Sequence, residues 1–154
     1  MSVSIRIRPA RQIDTSDLAA IRRNAILVLA TPEMGEQRAR EWADSSADER
    51  VLRAINEHEV WVAERDDVAV GWVEIDQARI EGMYVCPNRA RGGIGSMLLL
   101  HAEDRIRSAG HAVVALDASW NAEEFYLRRG YEPHSQHQAD AGRPMRKSLR
   151  GSAV

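Results

Sequence analysis

The chain is poor in cysteine and phenylalanine, with one of each, and its formal net charge is only -2. Cys86 stands alone, so no disulfide can close within the chain, and a reducing, cytoplasmic setting is expected. Near-neutral charge gives no global positive field to gather phosphate backbones or anionic lipid, which argues against nucleic acid as a partner. The stretch Met1 to Arg8 is neither an apolar signal segment nor long enough to span a bilayer, so no membrane association is expected. His58, His101, His111, His134 and His137 do not fall at metal-ligand spacing and have no cysteine companions, so no metal is expected. Neither G-x-G-x-x-G nor G-x-x-x-x-G-K-[ST] occurs, which removes the dinucleotide fingerprint and the P-loop.

What is present is globular. The 154 residues are 44% hydrophobic and 29% charged, enough for one core, and the whole span 1–154 reads as a single domain without repeats or low-complexity linkers. Ile5 and Ile7 alternate with polar neighbours, the period of a half-buried strand that Pro9 closes. Asp14 or Thr15 can cap a helix through Leu18, Ile21, Ala25 and Leu29, stopping near Thr31 and Pro32. A second helical stretch surrounds Arg38 to Trp42, and Ser46 with Glu49 forms a capping box ahead of Val51, Leu52 and Ile55. Val60 to Ala63 and Val68 to Ile75 flank a turn at Arg65-Asp66-Asp67 and predict a hairpin. A strand at Arg79 to Val85 leads through a glycine-containing loop into a helix from about Ile94 to Ala109, which Gly110 ends. Val113 to Leu116 is a buried strand, Asn121 to Arg129 a short capped helix, Tyr131 the start of another strand, and Met145 to Leu149 the last. Such an order predicts an α/β domain around one mixed sheet.

The run Val85-Cys86-Pro87-Asn88-Arg89-Ala90-Arg91-Gly92-Gly93-Ile94-Gly95-Ser96 places strand end, glycine loop and helix start together. First-turn amides lack internal acceptors and carry partial positive charge, so glycines there let a diphosphate approach the backbone, although close helix-to-strand packing also selects glycine. With its flanks the run resembles the acyl-CoA motif R/Q-x-x-G-x-G/A of the GNAT superfamily of N-acetyltransferases. Gly93-Ile94-Gly95 fits its second half, while the leading position is Ala90, between Arg89 and Arg91. A second element resembles the family's N-A-x-x-F-Y-x-x-x-G-[FY]: Asn121, Ala122, Phe125, Tyr126, Gly130 and Tyr131 occupy its places.

The resemblance covers essentially the whole chain apart from residues 24 to 58. It implies the GNAT fold: a twisted mixed sheet of six or seven strands, helices on both faces, and a splay between the two central parallel strands, Arg79 to Val85 and Val113 to Leu116. It also implies acetyl-CoA as cosubstrate, with the diphosphate on Arg91, Gly92, Gly93, Ile94, Gly95 and Ser96. The thioester end would lie along Met83, Tyr84 and Val85, and Tyr126 would serve the leaving thiolate. Asn121 either caps its helix, contacts the pantetheine arm, or does both.

An amine attacks only when neutral, so a proton must be removed from it. Glu81, on the strand before the loop and on the face of Met83 and Val85, is the first candidate base. Glu74 and Asp76 are next. The four tryptophans read as core or groove walls, with Trp42 alone in the region covering the acceptor, and Cys86 as a small buried residue. The acceptor amine is left open between a small molecule and a protein N-terminus or lysine, for which Asp44, Asp48 and Glu49 would line an acidic groove. A non-catalytic acyl-CoA-binding module is the rival reading. Dimerisation is common among such proteins, yet no feature of this sequence fixes it.

Overall fold

The computed structural model describes residues 4–27, 37, 47–87, 93–119, 121–134 and 142–149. Seven strands form one sheet in the order β1-β2-β3-β4-β5-β7-β6: β1 Ile5–Pro9, β2 Glu59–Arg65, β3 Val68–Asp76, β4 Arg79–Val85, β5 Val113–Ala118, β6 Glu132–Pro133 and β7 Arg143–Ser148. The helices are α1 Thr15–Ala25, α2 Ala47–Glu57, α3 Ile94–Ser108 and α4 Glu123–Leu127, with a 3-10 turn at Gln12–Asp14. All neighbouring strands run antiparallel except β4 and β5.

Helices cover both faces. On one, Leu18, Ala19 and Ile21 of α1 and Val51 and Ala54 of α2 bury Val60, Val62 and Trp72, whose indole N–H donates to the Leu18 carbonyl at 3.0 Å. On the other, Ile94, Leu98, Leu99, Ala102 and Ile106 of α3 recur at helical spacing and bury Val73, Ile75, Val114 and Leu116. The expected hairpin forms around Asp66 and Asp67, both at positive φ, the geometry that matches a two-residue connection to strand twist.

Several local expectations are corrected. Asp14 is the residue before α1 but makes no side-chain cap. Its carboxylate is drawn off by Arg8, which donates to both oxygens at 2.9 Å, and by the Arg11 amide at 2.7 Å. Those donors hold the Asp14 carboxyl below its ordinary range, the Arg8 bonds contributing most. Asn121 does not cap α4 either: Ala122 takes that place, and the Asn121 side-chain oxygen accepts from Ser119 Oγ at 2.8 Å. The strand expected from Tyr131 is two residues long and starts at Glu132. The helical stretch around Arg38 to Trp42, the stop at Thr31 and Pro32, Asp44, Ser46 and Trp120 lie outside the described residues.

Candidate active site

Strands β4 and β5 pair only at Arg79 with Ala115 and Ile80 with Leu116. Beyond these two positions β4 continues to Val85 on β3 alone, so alternate backbone amides of Glu81 to Val85 face a gap in the sheet. The cause is visible in the β3 register. Glu74 pairs with Gly82 but Ile75 with Ile80, so Glu81 is an extra residue without an opposite number, a bulge that turns β4 away from β5. Simple alternation fails there, and Ile80 joins the same core as Met83 and Val85, which a regular strand forbids at odd separations.

Glu81 is exposed at this crotch, its carboxylate 3.1 Å from Arg79 Nε, while Arg79 also reaches Asp117 on β5 across the narrow end of the gap. Gly82 follows. A Cβ there would lie 2.9 Å from the Tyr84 ring, so the glycine gives that ring its seat over the α1 side of the sheet. Tyr84 packs 4.9 Å from Trp72, and the Arg22 guanidinium lies 5.8 Å from its centroid.

Beside the crotch sits a buried acid. Glu74 is 4% exposed. Its Oε2 lies 2.6 Å from His58 Nδ1, its Oε1 is 3.9 Å from Arg50, and Oε1 has no hydrogen bond among the described residues. The bond to Glu74 raises the His58 pKa, against the opposing effect of burial, with the charges of Glu74, Asp76 and Glu81 adding to the rise. Burial would lower the Arg50 pKa, but Tyr84, Glu74 and Glu81 outweigh it and raise it. Asp76 stands 3.5 Å from His58 Nε2. The sequence offered Glu74 and Asp76 as second-line bases; the structure joins both to a histidine that sequence reading had set aside.

At the other end of the gap, Gly93 precedes α3 with φ at 77°, a left-handed conformation that glycine adopts without steric cost, and supplies no side-chain cap. The first intrahelical bond there is Met97 N–H to the Gly93 carbonyl, so the amides of Ile94, Gly95 and Ser96 precede the ladder. Ile94 and Gly95 are buried, Ser96 half-buried. Arg91 and Gly92 fall outside the described residues.

Tyr126, on α4, is 7% exposed and packs edge to face against Phe125 at 5.1 Å and Tyr131 at 5.5 Å. Burial pushes its phenol pKa well up, Tyr84 adding to the rise and Arg129 opposing it. Its hydroxyl has no hydrogen-bond partner among the described residues. Phe125 packs against the core on the α3 face of the sheet. Sequence reading missed Arg129, which folds back from the end of α4 onto Ser96 Oγ, with Nη2 at 2.6 Å.

Comparisons with known proteins point to one family. The family model of the acetyltransferase (GNAT) domain matches residues 30–149. The uncharacterised N-acetyltransferase YafP of Escherichia coli K12 is 28% identical over 137 residues, spanning 89% of this chain and 87% of that protein. The crystal structure of a GCN5-related N-acetyltransferase from Rhodopseudomonas palustris matches with a TM-score of 0.89 at 26% identity, covering 97% of this chain and 99% of that one. The PaiA N-acetyltransferase of Thermoplasma acidophilum, solved with coenzyme A, matches in fold with a TM-score of 0.82 at 20% identity, covering 95% and 99%.

Proposed function

Because the chain belongs to the GNAT acetyltransferase family, we propose that it transfers the acetyl group of acetyl-CoA to a primary amine by direct attack in a ternary complex. The observation that carries this reading is the gap in the sheet: β4 and β5 part after two residue pairs, leaving strand amides that can receive a pantetheine arm. The amides of residues 91 to 96 and the Gly93 turn hold the diphosphate, and the Met83 to Val85 backbone orients the thioester. The Asn121 side chain contacts the arm. Acetyl-CoA supplies the activated acyl carbon.

The amine nitrogen forms the new C–N bond to the carbonyl carbon, Glu81 takes the proton it sheds, and the C–S bond breaks. Tyr126 gives the departing sulfur a hydroxyl proton or hydrogen bond. A tyrosine phenol is protonated at neutral pH, the form that can donate, and burial disfavours its ionised form further. Glu81 stands exposed on its bulge beside Arg79, whereas Glu74 is buried and holds His58 through one of its two oxygens.

Thermal shift with acetyl-CoA, with adenosine diphosphate and no ligand as controls, tests the cofactor. Saturation near a hundred times the dissociation constant adds about 2.7 kcal/mol, which raises the midpoint of a domain of this size by roughly 5 to 10 °C. Thiol release on an amine panel then tests turnover. No shift with acetyl-CoA would remove the cofactor from the reading, and a shift without thiol release on any amine would make the protein a binding module.

A further inference from the structure

Arg129 is held in a way its structural duties do not require. Its guanidinium lies over Phe125, Cζ 3.7 Å from the ring centroid, and the Phe125 ring in turn lies 3.4 Å from where a Cβ of Gly95 would stand. From that shelf Nη1 donates to the Phe125 carbonyl at 2.9 Å, while Nε and Nη2 both donate to Ser96 Oγ at 3.1 and 2.6 Å. Both partners are neutral. The acids of α4 are engaged elsewhere, Glu124 with Arg128 at 2.9 Å and Glu123 with Arg143. A full positive charge is therefore fixed against the first turn of α3, which contains no acidic residue.

Two consequences follow from counting hydrogens. A guanidinium has five N–H groups, and three are used in these bonds, leaving one on each terminal nitrogen. Ser96 Oγ accepts two bonds, which occupies its lone pairs, so its own O–H can act only as a donor. Backbone amides, a serine hydroxyl set as donor and a guanidinium with no acidic partner among the described residues thus meet at one helix turn. All three want an anion.

We infer that Arg129 is an anion-positioning residue for the diphosphate of the coenzyme, acting both directly through its spare N–H groups and through the orientation it imposes on Ser96. This rests on the acetyl-CoA reading above. A residue that merely tied α4 to α3 would need the hydrogen bonds but not the charge, and that difference makes the inference testable.

Coenzyme A and 3′-dephospho-coenzyme A are titrated calorimetrically into the wild type, Arg129→Gln and Arg129→Lys, with the unliganded melting midpoint of each recorded. Loss of a charged hydrogen-bond donor weakens binding by about tenfold or more. The expected result is that weakening in Arg129→Gln for both ligands alike, with Arg129→Lys, which keeps the charge but loses the forked bonds to Ser96, weakened clearly less than the glutamine variant. Equal weakening in the lysine and glutamine variants, or wild-type affinity in the glutamine variant, would overturn the inference and leave Arg129 as a tie between helices. Weakening seen with coenzyme A but absent with the dephospho form would overturn the diphosphate assignment in favour of the ribose phosphate. If the wild type itself binds neither ligand, the acetyl-CoA reading falls first, an outcome distinct from any of these.

Discussion

Two tyrosines five residues apart meet edge to face, 5.5 Å between centroids, and the protein treats them in opposite ways. Tyr131 donates its hydroxyl to Glu103 Oε2 at 2.8 Å, and the same carboxylate takes Lys147 Nζ at 3.2 Å on both oxygens. Each carboxylate oxygen in that buried knot accepts at least one bond, and the knot ties α3 to β7. Tyr126, more isolated from polar groups, keeps its hydroxyl without a partner among the described residues. The carboxylates repeat the contrast: Glu103 at 3% exposure is satisfied on both oxygens, while Glu74 at 4% has one oxygen without a hydrogen bond. Satisfied polar groups hold a fold together, and unsatisfied ones beside a cleft are available for chemistry.

The largest effect should come from the closed side. Glu103→Ala leaves Lys147 and Tyr131 without their shared acceptor in a buried setting, so unfolding in urea should show a loss of about 3 kcal/mol. The melting midpoint should fall by roughly 6 to 12 °C, with turnover per folded molecule unchanged within about twofold. Next comes the open side: Tyr126→Phe should lower kcat about 100-fold, equivalent to about 2.7 kcal/mol of barrier, while acetyl-CoA affinity and the midpoint hold. An unaltered kcat would take Tyr126 out of the mechanism. Tyr131→Phe should be the inverse and smaller, costing about 1.5 kcal/mol in urea because Lys147 remains on Glu103, with kcat kept. If the two phenylalanine variants behaved alike in both assays, the distinction between closed and open tyrosines would fail.

Much of the scaffold was legible because it is written locally. The alternation at Ile5 and Ile7, the Asp66-Asp67 turn and the spacing from Ile94 to Ile106 each fix an element without knowledge of the rest. The splay was expected from the resemblance rather than from spacing, and its cause, the extra residue at Glu81, left no local mark, since a bulge changes pairing and not composition. A second bulge does the same in the β2–β3 hairpin. Arg65 pairs with Val68 and Glu64 with Ala69, yet Ala63 pairs with Gly71, so Val70 is the surplus residue. That one-residue slip carries Val60 opposite Glu74 and brings His58, just outside β2, against Glu74 and Asp76. Counting back from the turn without the slip would put His58 at the wrong level. Arg129 was hidden for another reason: Ser96 is thirty-three residues away, and only the packing of α4 on α3 brings the two together.

The smallest effect separates Glu74 from Glu103 by pH. His58 is held above its ordinary value of 6.5 by its bond to Glu74, then by the charges of Glu74, Asp76 and Glu81, with burial opposing. Arg50 competes for Glu74 from 3.9 Å, and no histidine belongs to the hydrogen-bonded knot of Glu103, Tyr131 and Lys147. A group whose folded pKa is raised binds its proton more tightly in the native state, so its stabilisation is complete below the unfolded value and lost as pH rises through the folded one. Native stability should therefore contain a component that declines from about pH 6.5 upward, worth less than about 1 kcal/mol for a pair that is partly open to water. Urea unfolding between pH 6 and pH 9 would show it as a slope in the wild type that Glu74→Gln and His58→Asn each flatten to the same residual, while Tyr131→Phe leaves it intact. A slope that survives in both Glu74→Gln and His58→Asn would mean that His58 titrates at its ordinary value and that Glu74 is as inert as its exposure alone suggests. Asp14, whose pKa is lowered by Arg8, does not interfere: its contribution is present above its ordinary value of 3.8 and is lost only as pH falls below it, outside that window.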